Sequence, residues 1–271
     1  MPELPEVETT RLGLQSHLEG CRIRSAEVRQ PHLRWPVGPD FVRHIRGARI
    51  HRLTRRAKYL LVYTDTGCAI WHLGMSGSLR MVEADTEPEK HDHIDWWLDS
   101  GWLLRYRDPR RFGALLWTSG DPLTHKLLRH LGPEPLSGKF NEDYLFSVSR
   151  KRRQPVKTLI MDGHIVVGVG NIYASESLFL AGIRPDREAG SISKARYGRL
   201  AEAIKQVLQR AITRGGTTLR DFIGGDGKPG YFAQELNVYG RAGAPCPTCT
   251  RPLSDRVLGQ RNTFFCTRCQ R

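Results

Sequence analysis

The last 26 residues contain Cys246-Pro-Thr-Cys249 and Cys266-Thr-Arg-Cys269, two C-x2-C pairs separated by sixteen residues. This spacing is typical of a four-thiolate zinc site, because each pair places two sulfurs on one side of a tight loop and two pairs complete a tetrahedron. The alternative is a pair of disulfides, which a cytosolic context disfavours. The segment supplies no open coordination position, so the predicted zinc ion is structural. Zinc binding would then be the folding energy of a segment too short to fold on its own core.

The stretch between the cysteine pairs is predicted to be a β-hairpin with its turn near Leu258-Gly259. Six arginines in residues 241–271 face a single acid, Asp255. A rigid hairpin carrying arginines suits a nucleic-acid groove, and the alternative is a solvated basic tail. The six are Arg241, Arg251, Arg256, Arg261, Arg268 and Arg271.

The charge balance of the whole chain favours a polyanionic partner. Its 271 residues include 42 Lys plus Arg against 28 Asp plus Glu, a net charge of +14. A membrane surface is the competing polyanion, but no stretch approaches the ~18 apolar residues of a spanning helix. No signal peptide is recognisable either, so a cytoplasmic or nucleoid location is expected. Cys21 and Cys68 are expected to be reduced, buried and inert.

The pattern of the chain changes near residue 132. Before that point one amphipathic helix, residues 5–19, precedes seven strand-like runs, which predict an antiparallel sandwich or barrel. After it, helical signals dominate, and residues 192–214 give the clearest amphipathic helix. We therefore predict domains at 1–132, 133–240 and 241–271. The predicted strands are Arg22–Arg29, Ala48–Thr54, Lys58–Tyr63, Cys68–Leu73, His93–Leu98, Trp102–Arg107 and Ala114–Thr118.

Residues 165–174, IVVGVGNIYA, fit the G-x-G-x-x-A pattern of dinucleotide sites. A second parallel strand should follow, but residues 180–188 contain glycine, proline and four charges instead. A glycine loop opening a helix still makes a phosphate site, here predicted with Asn171 as the cap. The basic run 151–153 and Lys157 indicate that the phosphate belongs to a DNA backbone.

Pro2 could act as a nucleophile if the initiator methionine is removed, because its nitrogen would then be the α-amino group of the chain. An α-amino group has a pKa near ~8, so a useful fraction is neutral and can attack an aldehyde-like carbon to form an iminium. The alternative is a frayed terminus without a role.

Six motifs stand out along the chain: PELPEVET at 2–9, HLGMSG at 72–77, DPRRFG at 108–113, VGVGNIYASE at 167–176, DGKPGYF at 226–232 and the four cysteines. In this order they resemble the bacterial formamidopyrimidine-DNA glycosylase family, whose members remove oxidised purines from DNA. Leu4 favours this family over the related endonuclease VIII branch, which typically begins Pro-Glu-Gly-Pro-Glu.

The resemblance implies an α+β multidomain fold and a bifunctional enzyme. The expected parts are an antiparallel β-sandwich with flanking helices at 1–132, a helix-two-turn-helix domain at 133–240 and the zinc-finger hairpin at 241–271. A mobile lesion-capping loop is expected at about Thr217–Tyr231. The expected partner is duplex DNA containing 8-oxoguanine or formamidopyrimidines, bound by a monomer with one zinc ion and no membrane association.

By resemblance, the Pro2 nitrogen attacks C1′ of the damaged nucleoside, and β,δ-elimination follows. Glu3 protonates the sugar oxygen, an acid role that needs a raised pKa, which burial and the neighbouring Glu6 would favour. Lys58 binds the phosphate beside the lesion and assists β-elimination, although a lysine opening a strand is usually only solvated. Arg261 at the zinc hairpin is implied in phosphate binding and δ-elimination.

The resemblance also implies DNA contacts and a base-flipping wedge. A base must leave the duplex to be excised, and side chains fill the hole that it leaves. The three implied wedge residues are Met75, Arg110 and Phe112; core packing is the alternative for the two apolar ones, but both lie in glycine-rich loops. The implied backbone contacts are His91, Arg110, Arg152, Lys157 and Asn171.

Two other functions remain open from the sequence. The same scaffold could act mainly on oxidised pyrimidines, or the chain could be a zinc-dependent DNA-binding protein without catalysis.

Overall fold

A computed structural model describes residues 2–216 and 235–271 of the chain. These residues belong to two units, the first comprising 2–129 with 214–216 and the second comprising 130–213 with 235–271. The predicted capping loop at 217–231 lies outside the described residues. The predicted division at residues 132 and 240 stays a prediction. No helix among the described residues is both long and apolar enough to cross a bilayer.

The first unit contains two four-stranded antiparallel sheets. One has the order β1-β6-β7-β5, formed by Ile23–Val28, Asp92–Leu98, Trp102–Arg107 and Ser78–Glu83. The other has the order β2-β3-β4-β8, formed by Ile50–Arg56, Tyr59–Thr64, Gly67–His72 and Ala114–Thr118. The antiparallel sandwich is therefore confirmed, and the barrel alternative is wrong.

Aromatic side chains fill the space between the two sheets. Trp71 of β4 and Trp96 of β6 are buried, with ring centroids 5.6 Å apart, and Tyr106 of β7 lies 4.9 Å from Trp71. Such aromatic pairs add stability beyond their buried area. Contacts between rings of both sheets hold the ends of the strands, and hence the loops that join them, in one geometry.

Helix α1 (Leu4–Leu18) buries Leu14 and Leu18 in the same core. Glu3 is its N-cap residue, and Glu3 with Glu6 forms a reciprocal capping box. The predicted start near Pro5 agrees with this helix. The described residues of this unit also form a short second helix, α2 (Phe41–Ile45), and a 3₁₀ turn, Pro122–Thr124.

The second unit is helical apart from one hairpin. The long amphipathic helix α6 agrees with the helix predicted at 192–214, and the hairpin turns at Gly259 as predicted. Residues 130–216 and 235–271 contain no parallel strand pair, so a dinucleotide fold is excluded there. The elements are α3 (Glu142–Ser149), α4 (Val156–Met161), α5 (Asn171–Leu180), a 3₁₀ turn (Ala189–Ser191), α6 (Lys194–Thr213), β9 (Ser254–Leu258) and β10 (Arg261–Phe265).

Three local expectations need correction. Strand β5 was not predicted, although Ser78–Glu83 begins with four residues that alternate polar and apolar; in the structure it pairs with β7. Lys58 does not open a strand but lies in the turn between β2 and β3, where Ala57 has a positive φ of 56°. Cys21 is half-buried rather than buried, whereas Cys68 is buried as expected.

Candidate functional site

The start of α1 places Pro2 and Glu3 in a buried position. Both residues are buried, and Glu3 is 3% exposed. The Glu3 N–H donates to Glu6 Oε2 at 2.9 Å, so the capping box fixes the backbone just after Pro2. Gly216 lies close to the same carboxylate, because a Cβ added to it would be 3.2 Å from Glu6 Oε1. A nucleophile or acid at this helix start would be held by the backbone rather than by a flexible side chain.

An ion-pair network ties the Lys58 turn to α1. Arg55 donates from Nε to Glu8 Oε2 and from Nη1 to the Ala57 carbonyl, both at 2.9 Å. Burial raises the pKa of Glu8, but Arg11 and Arg55 outweigh that effect and lower the pKa overall. Glu8 therefore stays ionised and anchors the turn that carries Lys58, one helical turn from the start of α1.

His72 is paired with Tyr59, the residue after Lys58, and no role is predicted for it from the sequence. It ends β4, and its Nδ1 accepts a hydrogen bond from the Gly74 N–H at 3.1 Å. Burial, with the positive charges of Arg34 and Lys58, lowers the pKa of His72 to about 4. The ring is then neutral at pH 7, as an accepting Nδ1 requires. Its position inside the HLGMSG motif is the signal that would have pointed to it.

Acid should destabilise the folded chain through His72. Between pH 6.5 and about 4 the unfolded chain binds a proton at this residue that the folded chain does not. At pH 4.5 this difference amounts to about 2.5 kcal/mol relative to pH 7. Urea unfolding at both pH values, followed by tryptophan fluorescence, should show that wild type loses about 2.5 kcal/mol more than His72→Gln. Equal losses would contradict the lowered pKa.

Two loops carry the predicted wedge residues. The Met75 loop (residues 73–77) joins β4 to β5, and the Arg110 loop (residues 108–113) joins β7 to β8. Met75 is half-buried, whereas Phe112 is 47% exposed, and the Arg110 guanidinium lies 4.8 Å from the centre of the Phe112 ring. The structure thus brings the three residues onto neighbouring loops. His91 precedes β6, half-buried, with its ring 6.3 Å from His93.

In the second unit the start of α5 differs from the predicted cap. Gly170 is the N-cap residue, and Asn171 is the first helical residue without a capping hydrogen bond. The Asn171 side chain instead donates from Nδ2 to the Asn262 carbonyl at 2.9 Å. Arg152 is exposed and follows α3. The amide groups of the 168–170 loop remain suited to an anion at the helix start.

Lys157 is completely buried, which its charge alone did not predict. Its Nζ donates to Asn171 Oδ1 at 2.5 Å, to Thr263 Oγ1 at 2.6 Å and to the Asn262 carbonyl at 3.3 Å. The ammonium group therefore joins α4 and α5 to β10. It fixes Asn171 against the start of β10, and the predicted direct contact with DNA stays a prediction.

Replacing Lys157 by methionine should lower the free energy of unfolding by about 3 kcal/mol, because three buried acceptors lose a charged donor. Far-UV circular dichroism during urea unfolding measures this loss. The control is Lys151→Met, at an exposed lysine of the same unit, which should change stability by less than about 0.5 kcal/mol. Equal stability of the two variants would show that the buried contacts contribute nothing.

A buried carboxylate connects α5 to the segment that precedes the cysteines. Glu176 Oε1 accepts from the N–H groups of Val238 and Tyr239, and Oε2 accepts from the backbone and side-chain N–H groups of Asn237, all at 2.9 Å. Glu176 ends the VGVGNIYASE motif, and no role is predicted for it from the sequence.

The four cysteines form a candidate metal centre. Their sulfurs all lie within 4.8 Å of one another. The Cys249–Cys266 and Cys246–Cys269 sulfurs are 3.5 and 3.9 Å apart, near the ~3.8 Å edge of a zinc–thiolate tetrahedron. Disulfides are excluded because all four cysteines are free. Burial and the neighbouring thiols raise the pKa of Cys269 to about 12, and a bound cation would favour its thiolate. The residues fit one structural zinc ion.

Some of the arginines in residues 241–271 are bonded to other groups of the protein. Arg256 pairs with Asp186 within the second unit, and Arg241 donates to the carbonyls of Leu236 and Asn237. Arg261 begins β10 and is exposed. The structure thus leaves Arg261 accessible at the hairpin turn, and its predicted role in elimination stays a prediction.

Three family models match the chain. They describe the formamidopyrimidine-DNA glycosylase N-terminal domain at residues 1–115, the formamidopyrimidine-DNA glycosylase H2TH domain at 131–223, and a zinc finger found in FPG and IleRS at 243–271. The formamidopyrimidine-DNA glycosylases of Saccharophagus degradans and Stenotrophomonas maltophilia are 57% and 59% identical over 271 residues, covering all of both chains.

Solved structures of DNA complexes are also similar to this chain. Lactococcus lactis Fpg with an abasic site containing DNA has a TM-score of 0.92 at 33% identity, covering 99% of each chain. MutM in complex with carbocyclic 8-oxo-G containing DNA has a TM-score of 0.92 at 34% identity, covering all of both chains. A Lactococcus lactis FPG variant with a Fapy-dG containing DNA has a TM-score of 0.93 at 33% identity, covering all of both chains.

Proposed function

The chain belongs to the formamidopyrimidine-DNA glycosylase family, and on that premise we propose that it excises oxidised purines from duplex DNA and then cleaves the strand. Its substrates are 8-oxoguanine and formamidopyrimidines, and it acts as a monomer in base-excision repair. The observation that carries the proposal is the buried position of Pro2 and Glu3 at the start of α1. We place the enzyme in the bacterial cytoplasm, at the nucleoid, because its substrate lies there.

The proposed chemistry begins at the Pro2 nitrogen. Its lone pair attacks C1′ of the damaged nucleoside and breaks the glycosidic bond, and the base departs with the proton that the nitrogen loses. The C1′–O4′ bond then breaks as Glu3 protonates the ring oxygen, which leaves the opened sugar as an iminium. The positive nitrogen acidifies the C2′ proton. Loss of that proton expels the 3′ phosphate, and a second elimination expels the 5′ phosphate. A buried helix start suits these steps because it fixes the nucleophile and the acid relative to one another.

Charged side chains of both units hold the DNA backbone in this proposal. Lys58 binds a phosphate beside the lesion, and its turn is fixed by the Arg55–Glu8 pair. His91 and Arg110 of the first unit, and Arg152, Asn171 and Arg261 of the second, contact further phosphates. Lys157 acts by supporting Asn171, since its ammonium group is buried against that side chain. Such contacts fix register without reading sequence.

The wedge residues complete the proposal. Met75 and Phe112 enter the base stack, and Arg110 donates to the base left without its partner. The exposed Phe112 ring is consistent with this role, because an apolar side chain of that exposure has little packing to lose.

Borohydride trapping tests the function and separates the alternatives. With borohydride present, an 8-oxoguanine:C duplex should give a covalent complex, and single-turnover cleavage of that duplex should exceed cleavage of a dihydrouracil:G duplex by at least about tenfold. Preference for dihydrouracil would instead indicate an enzyme for oxidised pyrimidines. Failure to trap either duplex, with the N-terminal proline confirmed by sequencing, would leave a DNA-binding protein without catalysis.

A further inference from the structure

Two of the predicted wedge residues, Arg110 and Phe112, are exposed on one loop. Phe112 is 47% exposed and is contacted by the Arg110 guanidinium, itself on an exposed residue of the same loop. A side chain that must enter a base stack in one orientation therefore depends on the backbone geometry of the Met75 loop and the Arg110 loop.

One buried carboxylate is bonded to both loops. Asp108 is 0% exposed, and its Oδ1 accepts from the Ser76 hydroxyl at 2.7 Å and from the Arg110 N–H at 3.3 Å. Its Oδ2 accepts from the Gly113 N–H at 2.8 Å and from the Tyr106 hydroxyl at 3.0 Å. Ser76 follows Met75 directly, whereas Arg110 and Gly113 lie on either side of Phe112. Every wedge residue is thus at, or one residue from, a group bonded to this carboxylate.

The backbone of Asp108 adds a further contact. Its carbonyl lies 2.8 Å from His93 Nε2, and because a carbonyl only accepts, Nε2 carries the proton. The same carbonyl accepts from the Arg111 N–H at 3.1 Å. Both the side chain and the main chain of Asp108 are therefore fixed from several sides.

The two loops also touch through their backbones. A Cβ added to Gly74 would lie 2.4 Å from the Gly113 nitrogen and 2.4 Å from the Phe112 carbonyl carbon. A Cβ added to Gly113 would lie 1.8 Å from the Tyr106 hydroxyl oxygen. Glycine at these positions lets the loops approach closely enough for one carboxylate to bond to both.

We propose that Asp108 is a positioning residue that locks the Met75 and Arg110 loops into one preorganised wedge. Four donors converge on a single buried anion, and hydrogen bonds to a charged acceptor are roughly twice as strong as neutral ones. Asparagine has nearly the same shape but offers one acceptor oxygen, so its NH₂ group would face either the Ser76 and Arg110 donors or the Tyr106 and Gly113 donors. The first arrangement would cost the Met75 loop its Ser76 bond, and the second would cost the Arg110 loop its Gly113 bond.

This inference rests on the proposed function, since it concerns extrusion of a damaged base. Extrusion from a stacked duplex needs the wedge in place, whereas an abasic site has no base to extrude. Loss of the Asp108 hydrogen bonds should slow base excision from an 8-oxoguanine duplex. It should leave the lyase reaction on a preformed abasic site nearly unchanged.

The test uses two variants and one matched control on the full-length zinc protein. Asp108→Asn should lower the single-turnover rate on an 8-oxoguanine:C duplex by about 10- to 100-fold. Ser76→Ala, which removes one of the four donors, should lower it by about 3- to 10-fold. Borohydride trapping on a duplex with a preformed abasic site should change by less than about threefold in both. Ser100→Ala, at an exposed turn of the same unit, should match wild type in both assays.

A fluorescent base reports the wedge directly. With 2-aminopurine opposite the lesion, wild type should raise the fluorescence on binding, and both variants should raise it more slowly. If the two reactions fall by the same factor, or if neither falls, the positioning role is wrong. If wild type itself cleaves neither duplex, the proposed function is wrong, and the wedge role that rests on it is wrong too. Should Asp108→Asn fail to fold, Ser76→Ala decides alone.

Discussion

Replacing Pro2 by glycine is expected to slow strand cleavage at an oxidised purine on the order of a thousandfold, with duplex affinity within about threefold of wild type. A secondary amine gives an iminium that stays positively charged, which keeps C2′–H acidic. The primary amine of glycine gives an imine that is charged only when protonated. Pro2 and Glu3 are both buried at the helix start, so the substitution removes ring atoms from the reacting centre without removing a charge that holds DNA.

Pro5→Ala is the matched control for this substitution. Pro5 is buried in the first turn of α1 but leaves the terminal amine unchanged, so trapping and cleavage should remain near wild type. The measurements are single-turnover cleavage, borohydride trapping and duplex affinity by gel shift. Intact mass must first show that Met1 has been removed, because a retained methionine should abolish trapping in wild type as well. A full yield of trapped complex from Pro2→Gly would overturn the assignment of the nucleophile.

The sequence predicted the elements that have a one-sided pattern. Helix α6 was predictable because its buried residues recur at helical spacing. Helix α5 buries eight of its ten residues, so it shows no amphipathic stripe, and only its glycine loop indicated where it begins. Strand β5 is a comparable case, since its order comes from pairing with a strand that lies about 25 residues later.

The burial of side chains and their contacts with residues distant in sequence limited the prediction of the site. The sequence shows that residue 157 is a lysine, but its complete burial depends on Thr263, more than a hundred residues away. Asp108 gathers donors from residues 76, 106, 110 and 113, a set that no local pattern joins. By contrast, the four cysteines were predictable because ligand type and spacing together define the geometry of a zinc site.

Removing zinc should unfold the hairpin and abolish duplex binding while leaving the β-sandwich intact. The apolar cluster that includes the hairpin is small, with Phe179, Val238, Leu253 and two of the cysteines as its buried members. A lone two-stranded sheet is marginally stable, and a structural zinc contributes about 10–16 kcal/mol in isolated fingers. Cys249→Ser or chelation should therefore weaken duplex affinity by at least about 100-fold, because the exposed Arg261 loses its fixed position.

Tryptophan fluorescence tests whether the loss of structure on zinc removal is confined to the hairpin. All six tryptophans occupy positions 35–117, in the first unit, so their emission should be unchanged when zinc is removed. Proteolysis within residues 244–271 should accelerate at the same time, and the zinc content should fall from one ion per chain to none. Cys21→Ser, at a cysteine outside the cluster, is the control and should keep zinc, emission and affinity. Full duplex affinity without zinc would show that the hairpin folds on its own contacts. A simultaneous change in tryptophan emission would instead show that the metal stabilises the sandwich. We do not expect this change, because the four metal ligands lie in the second unit.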